Sequence, residues 1–160
     1  MKWFILSDGE TKIVDKIKKD YKKLSGSIVS VNEIVLPDNI IYFENEYDFE
    51  SYIIENGFVD EIESCLKTIL NTDDLDEIIA NKNGICTTCN QNIFQEDFRD
   101  YNGIQGRKSA LNDLLSQNKT KYSSLLSELI YKSDKNLPPK IIELFTQLNL
   151  ILKIAINDEN

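Results

Sequence analysis

Histidine is absent from this chain of 160 residues. Its absence excludes catalytic systems built on a His base, such as Ser-His-Asp and Cys-His, and every metal site that needs an imidazole ligand. An enzyme with this sequence would have to work with carboxylates, Lys, Tyr or Cys alone. The composition therefore favours a non-catalytic protein, and a histidine-free enzyme is the least favoured of three hypotheses on function.

Glycine-rich phosphate loops and calcium loops are also missing. The only closely spaced glycines, Gly103 and Gly106, are not followed by the Gly-Lys-Ser/Thr of a phosphate-binding loop. No window fits the Asp-x-Asp/Asn-x-Asp/Asn-Gly pattern of a Ca²⁺ loop. A magnesium-dependent nuclease core is disfavoured as well, because no Lys stands two residues after the second acid near Glu44 and Glu46.

Long apolar runs are absent too. The longest, at residues 148–156, is interrupted by Asn149 and Lys153, and the apolar stretch at 3–6 ends before Asp8. Neither has the length of a membrane-spanning helix or of the apolar region of a signal peptide. The three cysteines, an odd number, do not match a secreted disulfide framework. We therefore expect a cytoplasmic protein that does not contact membranes.

Positive charge is scarce in the middle of the sequence. Residues 25–100 hold seventeen Asp and Glu against three Lys and Arg, a net charge of −14. The flanking segments are mildly basic, with +3 over residues 1–24 and +2 over residues 101–160, and the whole chain carries −9. An acidic middle with almost no neighbouring cations indicates a negative surface that could bind a positively charged partner.

The first part of the chain, residues 1–45, predicts a β-α-β-β unit. A short buried strand at 3–6 is followed by an amphipathic helix at 11–24, whose apolar positions recur at helical spacing. Apolar, β-branched stretches at 28–36 and 40–43 predict the remaining strands.

The rest of the chain predicts helices. Residues 46–100 contain short acidic helices and, at 81–93, a loop that carries two cysteines, which we call the Cys loop. Residues 101–160 contain two longer amphipathic segments, at 107–131 and 138–156, joined by a short turn. We expect these two segments to pair as an antiparallel helical hairpin, because their apolar sides need a partner.

The fold class predicted from these elements is α+β. A small N-terminal β-sheet with one helix precedes a mainly α-helical C-terminal portion that ends in the hairpin. The length and a hydrophobic content of 41% suit a single domain over residues 1–160.

Clustered carboxylates are the candidate partner-binding residues. One group lies at a strand-to-helix junction and another early in a helix: Glu44, Glu46, Asp48 and Glu50, and Asp60, Glu61 and Glu63. Acids in a first helical turn also stabilise the helix dipole, and an acidic surface also keeps a protein soluble. As partner-binding residues, the two groups should form one connected negative surface.

Cys86 and Cys89 form a C-x-x-C pair, the sharpest local motif. Two such thiolates can hold one tetrahedral Zn²⁺, and Asn90 stands where many zinc knuckles place a glycine. Two further ligands are needed, from Cys65 with a carboxylate or from the same pair of a second chain. A redox pair is disfavoured because the flanks lack a strand-to-helix context. We expect that no metal is bound and that the pair is structural or incidental.

The leading hypothesis is a non-catalytic interaction protein whose acidic surface binds and blocks a basic partner protein. Inhibitors of nucleases, including immunity proteins of bacterial toxins, work in this way in general, because carboxylates occupy a site built for phosphates. The net negative charge disfavours direct binding of nucleic acid. The alternative is a structural or regulatory module stabilised by Zn²⁺ at the Cys pair. A homodimer is the simplest cover for apolar surface left on the last helix.

Overall fold

The computed structural model describes the backbone of residues 4–91 and 98–158, and their side chains as far as residue 150. Trp3 of the first predicted strand and residues 92–97, which include the end of the Cys loop, lie outside the described residues. No helix within the described ranges has both the length and the apolar character needed to cross a bilayer.

The chain divides into two compact units. The terminal unit consists of residues 1–52 and 136–160, and the central unit is the continuous segment 53–135. The described residues form seven α-helices and one two-stranded sheet, which confirms the predicted α+β class. In chain order the elements are β1 (Ile5–Ser7), α1 (Thr11–Ser25), β2 (Ile40–Tyr42), α2 (Phe49–Glu55), α3 (Val59–Leu70), α4 (Leu75–Lys82), α5 (Gly103–Ser116), α6 (Lys119–Lys132) and α7 (Pro139–Asp158).

The sheet of the terminal unit consists of two parallel strands, β1 and β2, with Leu6 opposite Ile41. Parallel neighbours require a crossover connection, and α1 lies within it. Gly9 follows β1 at a point where a Cβ atom would stand 1.9 Å from the carbonyl oxygen of Phe43. This close approach of two backbone segments admits only glycine.

The described residues 28–36 form no strand, so the prediction of a β-α-β-β unit is wrong in this part. A 3₁₀ turn at Val31–Glu33 occupies the segment instead. Ser30 and Glu33 form a capping box, in which the Ser30 amide donates to the Glu33 carboxylate at 3.1 Å. Ile28 is 96% exposed, so the apolar residues that predicted a strand are not buried in a sheet. Local side-chain hydrogen bonds compete here with strand pairing.

The terminal unit buries a small core beside its sheet. Ile40 and Ile41 are buried together with Phe43 and Tyr52, whose rings stack with centroids 4.4 Å apart. α7 packs against β2, and the Tyr52 hydroxyl accepts a hydrogen bond from the Lys140 amide at 2.9 Å. The first turn of α7 is thereby fixed next to the sheet.

α3 organises the central unit, because it packs against both α5 and α6. Its inner side carries Ile62, Cys65 and Leu66, all fully buried and spaced as helix neighbours. Leu111 and Leu115 of α5 are fully buried as well. Each such aliphatic side chain contributes about 1.5–3 kcal/mol to the stability of the fold.

The single helix predicted at 107–131 is wrong, because α5 and α6 are separate helices with a break at Gln117 and Asn118. The Asn118 side-chain amide donates to the Leu114 carbonyl at 2.8 Å, which satisfies a free carbonyl near the end of α5. The described packing also gives the helices of the predicted hairpin different partners. α6 packs against α3, whereas α7 packs against β2.

Candidate functional site

The first predicted acidic group lies in the terminal unit, between β2 and α2. Asn45 and Glu46 have positive φ angles of 56° and 60°, so the chain reverses sharply there. The turn brings the Glu46 carboxylate to the hydroxyl of Thr11, the first residue of α1, where a negative charge stabilises the helix. Glu44 lies 3.5 Å from the ammonium of Lys140. Both carboxylates therefore have a role within the fold.

Asp48 and Glu50 are also structural. The Asp48 carboxylate accepts a hydrogen bond from the Ser51 amide at 2.8 Å and caps the first turn of α2. Glu50 is only 3% exposed, which corrects the prediction that it belongs to a partner-binding surface. It precedes the buried Ile53 and Ile54 by one turn and lies on the same side of α2.

The second predicted acidic group lies in the central unit, at the start of α3, and is held by a lysine distant in sequence. The Lys135 ammonium lies 2.7 Å from Glu61 and 3.4 Å from Asp60, and it donates to the Gly57 carbonyl at 2.8 Å. The hydrogen bond to Glu61, more than that to Asp60, raises the pKa of Lys135. The ammonium also lies 5.6 Å from the centroid of the Phe58 ring.

Arg107 of α5 joins the acidic residues of α3 to those of α4. Its guanidinium donates to the Glu63 carboxylate at 2.7 Å and also to Asp76. The hydrogen bond to Glu63, followed by that to Asp76, raises the pKa of Arg107. The same contact lowers the pKa of Asp76. Two acidic segments that are separate in the sequence are thus adjacent in the central unit.

Four exposed carboxylates on α3, on α4 and just before α4 make up what we call the acidic face: Asp60, Asp73, Asp76 and Glu77. The side chains of Asp60 and Asp76 are 89% and 75% exposed although each contacts a cation. Asp73 and Glu77 form no ion pair with a described residue. Asp74 is different, because its carboxylate accepts a hydrogen bond from the Glu77 amide at 3.0 Å and caps α4.

The two predicted groups belong to different units. Glu44, Glu46 and Asp48 lie around the turn before α2, whereas Asp60, Glu61 and Glu63 lie along α3. Sequence reasoning missed the cations that hold them, above all Arg107 and Lys135. The signal was present in the charges, because a basic segment after an acidic one predicts pairing between the two.

The Cys loop holds Cys86 and Cys89 in a tight turn. The Cys89 amide donates to the Cys86 sulfur at 3.5 Å, and the Asn90 amide donates to the Cys86 carbonyl at 3.2 Å. Asn90 has a φ of 55°, the left-handed conformation expected for it. The Cys86 amide in turn donates to the Gln91 carbonyl at 2.9 Å. Hydrogen bonds at both its amide and its carbonyl therefore fix the backbone of Cys86.

Cys65 lies elsewhere in the central unit. It is buried on α3, where its thiol donates to the Tyr122 carbonyl of α6 at 3.8 Å, and burial raises its pKa. No three Cys, Asp or Glu side chains of the described ranges stand close enough together to hold a metal ion. Within the described residues, Cys65 therefore does not lie in one cluster with Cys86 and Cys89.

Arg99 fastens the Cys loop to α5. Its Nη1 donates to the Cys86 carbonyl at 2.9 Å and its Nε donates to the Asp113 carboxylate at 3.0 Å. The Tyr101 hydroxyl donates to the same carboxylate at 2.6 Å. Tyr101 can approach α5 because Gly106 has no side chain, and a Cβ there would stand 2.3 Å from the Tyr101 backbone. These hydrogen bonds to Asp113 hold Arg99, and through it the Cys loop, against α5.

Asp113 is the ionised centre of this network. Burial alone would raise the pKa of Asp113, but hydrogen bonds from Tyr101, Gln117 and Arg99 outweigh it and lower that pKa. Burial, together with the hydrogen bond to Asp113, raises the pKa of Tyr101. Each group is therefore held in one protonation state near neutral pH, which does not suit a general acid or base.

An open groove of about 680 Å³ lies beside the network, lined among others by Lys82, Arg99 and Gln117. Its two cations are already engaged, since Lys82 donates to Gln117 and Arg99 donates to Asp113. Burial lowers the pKa of Lys82. The groove lies beside the Cys loop. Both cations named in its lining are already hydrogen-bonded within the protein.

Two features of the central unit thus remain as functional candidates, the acidic face and the Cys pair. In comparisons with known proteins, no family model, no curated protein and no solved structure matches the chain. Their function is therefore inferred from their own chemistry.

Proposed function

We propose that the protein is a non-catalytic binding protein whose acidic face engages a basic surface on a partner protein. The observation that carries the proposal is the junction at Arg107, which brings the acidic starts of α3 and α4 together. Carboxylates from both helices can then act on the same region of a partner, and their combined potential steers the encounter.

Charge and preorganisation support the proposal. The central unit contains fourteen Asp and Glu against nine Lys and Arg, a net charge of −5. Lys135 contacts Asp60 and Arg107 contacts Asp76, and both carboxylates remain exposed. Side chains that are already ordered lose less conformational entropy when a partner binds.

The partner that fits this chemistry is a protein whose own ligand is a polyphosphate. Nucleases and other nucleic-acid-binding proteins present clusters of Lys and Arg, and carboxylates can occupy a site shaped for phosphates. We propose an inhibitor of a nuclease-type toxin, in the manner of immunity proteins, acting in the cytoplasm. An odd number of cysteines is compatible with a reducing compartment.

A salt-controlled capture experiment tests the proposal. The immobilised protein is exposed to extract and to purified products of neighbouring genes, and bound proteins eluted by raising the salt concentration are identified. The association rate of each captured protein is then measured. Neutralising three carboxylates of the acidic face, with Asp60→Asn, Asp73→Asn and Glu77→Gln combined, should slow association about tenfold at low salt.

A matched control removes the same amount of charge from the terminal unit, with Glu10→Gln, Asp20→Asn and Asp38→Asn combined. This variant should associate almost as fast as the wild type. Equal rates for the two triple variants would contradict the proposal, because total charge and not the acidic face would then govern binding. For a captured nuclease, one equivalent of the wild-type protein should also suppress its activity.

A further inference from the structure

We propose that the outer edge of β2, the edge turned away from β1, binds an extended peptide segment of a partner protein. The segment would add a third strand to the sheet of the terminal unit, with apolar residues at alternate positions and a Lys or Arg beside them. The site shares no residue with the acidic face, which lies in the central unit, so its test is independent of the proposed function.

The first argument is the hydrogen bonding of β2. In a parallel pair, each strand turns the amides and carbonyls of alternate residues toward its neighbour. The register turns those of Ile41 toward β1, and the Phe43 amide donates to the Ser7 carbonyl at 3.2 Å. The Ile40 carbonyl and both backbone groups of Tyr42 therefore point to the outer edge, where they have no hydrogen-bond partner among the described residues. Unpaired groups in such a row are a template for a further strand.

The second argument is a groove of about 370 Å³ beside β2. Three successive residues of the strand, Ile40–Tyr42, line this groove, whereas a groove on one face of a strand would be lined by alternate residues. The groove therefore follows the edge of β2. Its volume falls within the range of about 300–1,000 Å³ that is common for ligand sites.

The apolar part of the lining indicates which side chains the peptide carries. Residues 34–37 contribute four apolar side chains, and Val35 among them is 86% exposed. Because successive side chains of a strand point to opposite faces, every second residue of a bound peptide can cover this part of the groove. Apolar residues at alternate positions of the peptide therefore fit the site.

The charged part of the lining favours a cation on the peptide. It consists of three acids and two lysines, a net charge of −1: Asp38, Glu44, Glu143, Lys18 and Lys140. Lys140 lies 3.5 Å from Glu44 and 2.9 Å from Glu143, yet the Glu44 side chain is still 70% exposed and can accept a Lys or Arg of the peptide. Two copies of this chain paired through β2 would instead bring linings of the same negative charge together.

Hydrogen exchange in the wild-type chain tests the edge itself. In the free protein, the Tyr42 amide should exchange with solvent about tenfold faster than the amides of Ile41 and Phe43, which face β1. Equal protection of the three amides would overturn the proposal, because the edge would then already be covered. Protection of Tyr42 that appears only at high protein concentration would overturn it as well, since it would assign the edge to a second copy.

The probe for binding is a phage-displayed library of random peptides of about seven residues, selected on the full chain. Enriched peptides should alternate apolar residues and contain a Lys or Arg, and a synthetic peptide of enriched sequence should protect the Tyr42 amide. N-methylation of its amides at one alternate set of positions should weaken binding about tenfold, and methylation of the other set should not, because only one set faces β2. A library without enrichment, peptides with helical apolar spacing, or equal effects of the two methylations would each contradict the proposal.

A pair of substitutions at Tyr42 isolates the backbone amide. Tyr42→Pro removes the outward amide and leaves the hydrogen bonds to β1 in place, and proline is tolerated at such an edge position. Tyr42→Ala removes the same ring but keeps the amide, so it is the matched control. Affinity for the selected peptide should be about tenfold lower in Tyr42→Pro than in Tyr42→Ala.

Circular dichroism shows whether both variants keep their helices. Equal affinities of the two folded variants would overturn the proposal. If Tyr42→Pro does not fold, the exchange rates and the methylated peptides decide, because both measurements use the wild-type chain.

Discussion

The guanidinium of Arg107 lies 2.7 Å from the carboxylate of Glu63, a residue 44 positions earlier in the chain. This contact rejoins in space charges that are segregated along the sequence. Lys108 and Lys135 make comparable contacts with acids of the same middle segment. The segregation of charge therefore serves the packing of the central unit as well as its surface potential.

Loss of the Arg107 side chain should weaken the central unit. We expect Arg107→Gln to lower the free energy of unfolding by about 1 kcal/mol, because Glu63 and Asp76 lose their shared partner in a half-exposed setting. Urea unfolding followed by circular dichroism measures the change. Lys67→Gln, which removes an exposed cation from α3, is the matched control. An equal effect of both substitutions would show that the bridge itself contributes nothing.

Asp113 should make stability depend on pH. Its pKa is lowered in the folded protein, so it stabilises the fold above its unfolded pKa of about 3.9. That contribution is lost as the pH falls through the lower folded value. The free energy of unfolding should therefore fall between about pH 5 and pH 2 more steeply in the wild type than in Asp113→Asn.

Chemical unfolding at a series of pH values checks this, with Asp134→Asn as a control at an exposed carboxylate. Equal slopes for Asp113→Asn and the wild type would contradict the prediction. Asp113→Asn should also cost about 2 kcal/mol at neutral pH, because Arg99 and Tyr101 lose a charged acceptor.

Two apolar residues of the C-terminal helices should differ sharply in their tolerance of charge. Leu126 is buried on α6, and Leu126→Asp should destabilise by roughly 4 kcal/mol or more, since a carboxylate would enter the α3–α6 contact. Phe145 is 52% exposed on α7, so Phe145→Asp should cost about 1 kcal/mol or less. Thermal unfolding of the two variants measures this difference, and similar losses would mean that Phe145 is covered in solution.

Local features of this fold could be predicted from the sequence. The helix capped by Gly26, the strand beginning at Ile40 and the helix beginning at Pro139 follow from capping residues, β-branched runs and proline preference. Each signal is contained within a few neighbouring residues. The left-handed conformation of Asn90 belongs to the same class, because it depends on a single residue type.

Features that depend on tertiary contacts could not be predicted. Leu115 and Tyr122 are seven residues apart, the spacing of two turns of one continuous helix, although Gln117 caps the end of α5 and Asn118 caps the start of α6. Glu50 belongs to an acidic pattern that indicates exposure, but its position on α2 places it inside. Glu61 pairs with Lys135, at the end of the central unit, and Glu63 pairs with Arg107 of α5. Partners so distant in sequence cannot be predicted from the local spacing of residues.

The central unit is one uninterrupted stretch of chain, whereas the terminal unit is assembled from segments on either side of it. During synthesis, α3 to α6 can make their contacts with one another once Lys135 has left the ribosome. β2 must wait for α7, which is made later. We therefore expect the central unit to complete its folding before the terminal unit, although the terminal unit contains the segment that is synthesised first.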